Sequence, residues 1–418
     1  MPIRRPRGPK PALRHVDFLE SVASAGIDTP AGATAQAAFL TLRLVDEWVT
    51  SGVLIADANI AVHTATVAAI DAAGHDTEVQ SALRRIVEGI VLLGEPDAQP
   101  MLPRVYAFGS LLELRGEFVL AADVYGTVSR YVDSRAHLDL AFDALMRRGF
   151  CLRTAGQLED AERCYQNAST LAGRVRDRAR VLYARIGLAK VTWSRGDLPG
   201  ADAELAEIVA EAESLGDRRL HALALHDVSS LARLRGDNER AVRFAFESLK
   251  RSDGERDRER LLSDLGNLLG VCGAWDAARA ALRLLESGAH EQEVRWKAQL
   301  NLMDLAAREG SEPSFEQYRR ALSSVNLPAR LGAEYLRDAG SGLLGFGRTD
   351  EARTSLERGL LLARSSGAHQ VEFQIQELLD NLSAVETAAA RRRPSVTPLP
   401  AALMSQIEDE LRSAAGVS

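Results

Sequence analysis

The sequence predicts an all-α protein, a solenoid of antiparallel helix pairs, and three observations lead to it. One is composition. The chain of 418 residues is 46% hydrophobic, 26% charged and 5% aromatic, a globular balance with enough apolar residues for a continuous core. A length above about 300 residues points to several domains or a repeat array. The second observation is a recurring turn. "RGEFVLAA", "AGQLEDAE", "RGDLPGAD", "RGDNERAV", "CGAWDAAR" and "FGRTDEAR" each place Ala five residues after Gly. The glycines are Gly116, Gly156, Gly196, Gly236, Gly273 and Gly347, and Gly310 fills the one gap, so the seven are spaced by 40, 40, 40, 37, 37 and 37 residues. The third is apolar spacing on both sides of the turn. Leu220, Leu223, Val228, Leu231 and Leu234 precede Gly236, and Ala241, Val242, Ala245 and Leu249 follow it, in the pattern of helix faces.

The turn has a physical cause. Gly accepts the left-handed conformation that ends one helix, and Asp or another polar residue begins the next. The small residue five positions on lets the two helices approach closely. A single pair cannot bury its apolar face alone, so the pairs must stack. Gly310 is the exception within the series, because Phe315 stands where Ala is expected and must widen that pair.

At these residues the sequence resembles the tetratricopeptide repeat family. "GFCLRTAGQLEDAERCYQNA" carries the family's pattern of small and aromatic positions at Gly149, Gly156, Ala161, Tyr165 and Ala168. "GSLLELRGEFVLAADVY" supplies Gly109, Gly116, Ala121 and Tyr125, and "GNLLGVCGAWDAA" supplies Gly266, Gly273 and Ala278. The units are longer than the family's period of about 34 residues. This resembles the long-repeat type found in some large bacterial transcriptional regulators. The resemblance covers about residues 100–385. It implies a right-handed superhelical α-solenoid and is almost silent on function.

Along the chain, residues 1–14 ("MPIRRPRGPKPALR") form an extended basic arm, since Pro and Gly prevent a helix. The arm either touches nucleic acid or an acidic partner, or is a solvated tail. Residues 15–100 are helical, and Gly32 and Gly74 continue the turn series backwards at a spacing of 42. They read as two degenerate repeats forming an N-terminal cap, with a separate small helical domain as the alternative. "GEPDAQPMLP" is a joint. The array of about seven repeats spans 101–385, followed by a Pro-rich linker at 386–400 and a short amphipathic helix within 401–418, with Leu403, Ile407 and Leu411 on one face. That helix is expected to dock in its own groove, to meet a partner, or to cap the end, and its removal is expected to leave the array folded.

Composition excludes several classes. The net charge of −7 gives no nucleic-acid footprint beyond the basic arm. Only Lys10, Lys190, Lys250 and Lys297 are lysines, and the Arg and Ala excess is of the kind that GC-rich bacterial genomes impose. Cys151, Cys164 and Cys272 lack metal or disulfide spacing and point to a reducing compartment. No apolar run approaches the roughly 18 residues of a membrane span, so the expectation is a cytoplasmic protein with no membrane insertion. "GSGLLG" at Gly340–Gly345 matches GxGxxG but follows no strand, and Gly340 is the counterpart of Gly266 one double period earlier. No nucleophile, base and oxyanion set assembles, and no metal or cofactor is expected.

One column of the repeat is acidic: Asp227, Asp264, Asn301 and Asp338 stand 37 apart, with Gly187 and Arg147 as earlier equivalents. The resemblance implies that this position faces the concave groove where peptides bind. The same assignment puts Arg147, Phe150 and Arg153, then Tyr183, Lys190 and Trp193, into the groove. Later units add His226, Ser230 and Arg233, then Arg260 and Asn267, Lys297 and Asp304, and Glu334 and Arg337. Carboxylates about 10 Å apart repel by about 0.4 kcal/mol in water and about 1.7 kcal/mol at an effective dielectric of 20. Cations must offset this, either Arg233, Arg260 and Arg337 or a basic or amide-bearing ligand. Two function classes follow. One is a non-catalytic scaffold or adaptor whose groove grips a peptide or helix of another protein. The other is a peptide- or ligand-responsive regulator acting on a transcriptional or effector partner.

Overall fold

The computed structural model describes residues 13–51, 57–74, 76–93, 97–366, 368–385 and 399–416. Most of the basic arm and of the linker therefore lies outside the described residues. All regular structure among them is helical, and the chain divides into two compact units between Asp197 and Leu198.

Unit 1 holds α1 (Val16–Ala25), α2 (Pro30–Ser51), α3 (Asp57–Ala72), α4 (Thr77–Leu93), α5 (Leu102–Leu114), α6 (Phe118–Tyr131), α7 (Leu138–Thr154), α8 (Leu158–Arg174) and α9 (Arg178–Ser194). Its core runs continuously from Phe18 through Trp48, Ile86, Phe108 and Tyr125 to Tyr165. A buried ionic cluster fixes the start of α1. His15 adopts a left-handed backbone (φ 62°), and its Nδ1 lies 2.7 Å from Asp123 and its Nε2 3.4 Å from Asp46. Arg14 and the Tyr131 hydroxyl also donate to Asp46, at 3.0 and 2.8 Å. These groups hold the Asp46 carboxyl well below the usual carboxylate range in spite of its burial.

Unit 2 holds α10 (Leu198–Leu215), α11 (Arg218–Leu234), α12 (Asn238–Arg251), α13 (Glu255–Val271), α14 (Trp275–Gly288), α15 (Gln292–Glu309), α16 (Glu312–Ser323), α17 (Ala329–Gly345), α18 (Thr349–Ser365), α19 (His369–Val385) and α20 (Ala401–Ala414). Consecutive helices pack in pairs, and the first helices α13, α15 and α17 also touch one another in sequence.

All seven turn glycines, Gly310 included, have positive φ between 74° and 91°. The Asp after Gly236 does what the sequence asked of it: Asp237 accepts from the Arg240 amide at 3.2 Å and caps α12. Gly32 is a correction. It lies inside α2, and the left-handed glycine of that region is Gly26. Counting back 42 residues assumed that the period continues, but helices α1–α4 do not keep it. Gly74 does lie in the turn between α3 and α4.

The other repeated glycines make room for a large residue. A Cβ on Gly149 would stand 2.8 Å from the Tyr165 ring, one on Gly266 3.0 Å from Leu282, and one on Gly340 2.6 Å from Leu356. Each large residue follows its glycine by 16 positions, on the second helix of the same pair. Gly340 in "GSGLLG" is thus a packing position. The pair at Gly310 solves its problem by exchange. Phe315 is fully buried, and a Cβ on Gly342 of the next first helix would stand 2.3 Å from its ring. A large side chain on α16 is matched by a missing one on α17.

Candidate functional site

The first helices of unit 2 line a groove of about 790 Å³. They contribute polar residues in unequal number: His226, Ser230 and Arg233 on α11; Asp264 and Asn267 on α13; Lys297, Asn301, Asp304 and Arg308 on α15; Arg337, Asp338 and Ser341 on α17; Gln374 on α19. Leu282 of α14 and Leu268 and Leu305 supply apolar floor.

Hydrogen bonds run along this wall from one repeat to the next. His226 Nε2 lies 2.9 Å from Asp264. The Asn301 amide donates to Ser263 at 3.3 Å, Lys297 pairs with Glu334, and Arg337 donates to Gln374 at 2.6 Å. The partners are 37 or 38 residues apart in every case, which is one repeat. Arg337 also holds Asp338 at 2.7 Å, and Arg308 holds Asp304 at 2.7 Å. Burial nevertheless pushes the Asp338 carboxyl up, with Arg337 opposing.

The acidic column is neutralised differently from the sequence expectation. Asp227 is 3% exposed and sits behind the groove surface. His226 bridges it to Asp264, with Nδ1 3.8 Å from Asp227 and Nε2 on Asp264. Burial drives the His226 pKa down, but the two carboxylates outweigh burial and the net direction is up. Arg260, expected as a groove cation and internal partner, is outside the groove lining and stands 3.9 Å from Asp257 on its own helix. Arg337 serves Asp338 rather than the two earlier carboxylates. Arg233 and Asn267 are exposed in the groove, and among the described residues their side chains make no hydrogen bond or ion pair.

The remaining sequence candidates belong to unit 1. Arg147 donates to Glu113 at 2.7 Å, joining α7 to α5. Arg153 lies over the Phe150 ring at 5.7 Å, and Tyr183 packs half-buried beside Phe142, Ala168 and Ala172. Lys190 and Trp193 lie on α9, with Trp193 half-buried.

Sequence reasoning missed a second set of residues. The Arg before the turn glycine reaches back one repeat: Arg195 to Glu162 at 2.6 Å, Arg235 to Asp202 at 3.0 Å, and Arg115 to Asp76 and Glu78. The "RG" of the turn motif was the available signal, since Arg stands at the same register in three repeats.

The turn register, the glycine-to-large contacts and the stacked first helices together define the repeat. It is tetratricopeptide-like. No family model matches the sequence, and no curated protein does. Solved structures similar to it include a Rap protein complexed with competence and sporulation factor, at 13% identity and TM-score 0.48, covering 85% of this chain and 99% of that one. The Rap conjugation gene regulator of plasmid pLS20, in complex with a Phr peptide, is 13% identical at TM-score 0.48 and covers 78% and 96%. A tetratricopeptide repeat protein from Parabacteroides merdae is 14% identical at TM-score 0.42 and covers 66% and 98%. Among the described residues no helix is long and apolar enough to cross a membrane, and no group of three or more His, Cys, Asp or Glu is placed to hold a metal ion. The three cysteines are buried and free, and burial pushes the Cys151 thiol up to about 12.

Proposed function

We propose that unit 2 is a non-catalytic binding module whose groove holds an extended segment of another protein. One observation carries this reading. The wall offers polar side chains from the first helices of five successive pairs, and its charges are already paired along the wall, so that Arg233 and Asn267 are left facing the groove. Internal pairing removes the repulsion that an acidic column would otherwise impose on an empty groove. It also removes the need for a basic ligand. The side chains left over are a cation and an amide, which suit carboxylates and peptide groups.

The test uses the intact protein as bait for a displayed library of random peptides, followed by affinity measurements on recovered peptides. The double variant Arg233→Ala, Asn267→Ala is expected to weaken them by about tenfold or more. Its melting temperature should hold, since neither side chain has a partner to lose. Peptides that bind the double variant as well as the parent would remove the groove as their site.

A further inference from the structure

The tail helix α20 has no place in the repeat. It follows α19, yet it packs on α14, with the five helices α15 to α19 between the two in chain order. None of its residues lines the groove. Ile407 and Leu411 are fully buried, and Leu399, Leu403 and Met404 are half-buried, all in one cluster with Ala277, Ala281 and Leu282 of α14 and with Leu262, Trp275 and Tyr318. Arg258 of α13 stands 3.7 Å from Glu410. The opposite face of α20, with Glu408, Asp409 and Arg412, is exposed. The helix pair α13–α14 is already complete without α20, joined by its own turn at Gly273.

The surface that receives α20 also extends past it. A second groove of about 550 Å³ runs beside the helix, lined by Leu249, Leu262, Leu284 and Leu285 from the array and by Leu411 and Ala414 from the tail. A helix seated by two full anchors, on a surface larger than itself, is a ligand arrangement: an amphipathic helix laid on an apolar strip with anchors at helical spacing.

We propose that the face of α14 covered by α20 is a helix-binding site, held in this structure by the chain's own tail and open to a partner helix of the same chemistry. That chemistry is aliphatic side chains at the i, i+4, i+8 spacing of Leu403, Ile407 and Leu411, with an acidic residue placed like Glu410 to meet Arg258. No residue of α20 enters the groove between the first helices, and the two surfaces back onto each other through Leu282 of α14.

The experiment uses the full chain with Ile407→Glu and Leu411→Glu, which puts charge on both anchors and displaces α20. The probe is a synthetic peptide of residues 399–416. The expected result is saturable binding of one peptide per variant chain, at least about tenfold tighter than to the parent chain, whose site is filled. A probe carrying Ile407→Glu should lose that binding. A folded variant that does not bind the peptide would overturn the proposal, and so would a variant that unfolds when the tail is displaced. A second measurement needs no variant. In the parent chain, amide hydrogen exchange of α20 should proceed through a local opening that leaves α13–α15 protected. Exchange of α20 only together with α14 would show an obligate core helix and sink the idea.

Discussion

At the scale of single residues, His226 is where charge, burial and register meet. Its imidazolium is disfavoured by burial and favoured by Asp227 and Asp264, and the carboxylates prevail. A folded-state pKa raised above the ordinary value of about 6.5 means that protonated His226 contributes stability below that pH. The contribution is lost as pH rises through the folded value. Nuclear magnetic resonance of the imidazole should therefore show His226 titrating above the ordinary value, and a midpoint below it would contradict the pairing. Asp264→Asn should bring the midpoint down and lower the stability of unit 2 by about 1 kcal/mol, a small figure because Asp264 is half-exposed. His15 has the same sign by the same balance, with Asp123 and Asp46 outweighing burial. Asp46 has the opposite one: its contribution is fully present above the ordinary carboxylate pKa of about 4 and is lost as pH falls from there through the lower folded value. Unit 1 should thus be most stable between about pH 4 and 6.5, and a melting curve followed across pH checks this. The acidic column was legible in the sequence because register is a matter of counting. Its neutralisation was not, because His226 stands one position off the column and reaches from α11 across one repeat to Asp264 on α13.

At the scale of helices, two kinds of glycine do two kinds of work, and substitution separates them. Gly187 faces the Tyr165 ring, where a Cβ would stand 2.4 Å away. Gly236 has open space around it and a φ of +76°. Gly187→Ala overpacks and should cost about 1–3 kcal/mol, and Gly236→Ala strains the backbone and should cost about 1–2 kcal/mol. Adding Tyr165→Leu should recover stability in the first variant and not in the second, with denaturant midpoints as the readout. Equal recovery, or none, would mean that the two positions are not distinguished by packing. The turn glycines could be read from sequence because six of the seven stand five residues before an Ala and the seventh, Gly310, keeps the spacing. The packing glycines were visible only as repeat members, since their partners lie 16 residues away and are Tyr in some pairs and Leu in others. Phe315 shows why the expectation of a widened pair at Gly310 was incomplete: the compensating residue, Gly342, belongs to the next pair.

At the scale of the whole molecule, the chain is a repeat array carrying two separate sets of cores. The long cluster of unit 1 contains Trp48, which is 2% exposed, and a distinct cluster of unit 2 has Trp296 packed against it. In an array, stability is close to a sum over repeats and their neighbours, so cooperativity need not extend from end to end. Two variants that each keep one tryptophan, Trp48 or Trp296, turn this into a measurement. Urea unfolding followed by fluorescence should give different midpoints for the two reporters. Gly187→Ala, which disturbs α8 and α9, should move the Trp48 midpoint and leave that of Trp296 in place. Asp264→Asn should do the reverse, since it breaks a rung between α11 and α13. If both substitutions moved both reporters equally, the array would be unfolding as one cooperative body. The local account of its stability, in which each turn, wedge and ion pair serves its own repeat and the next, would then have to be given up.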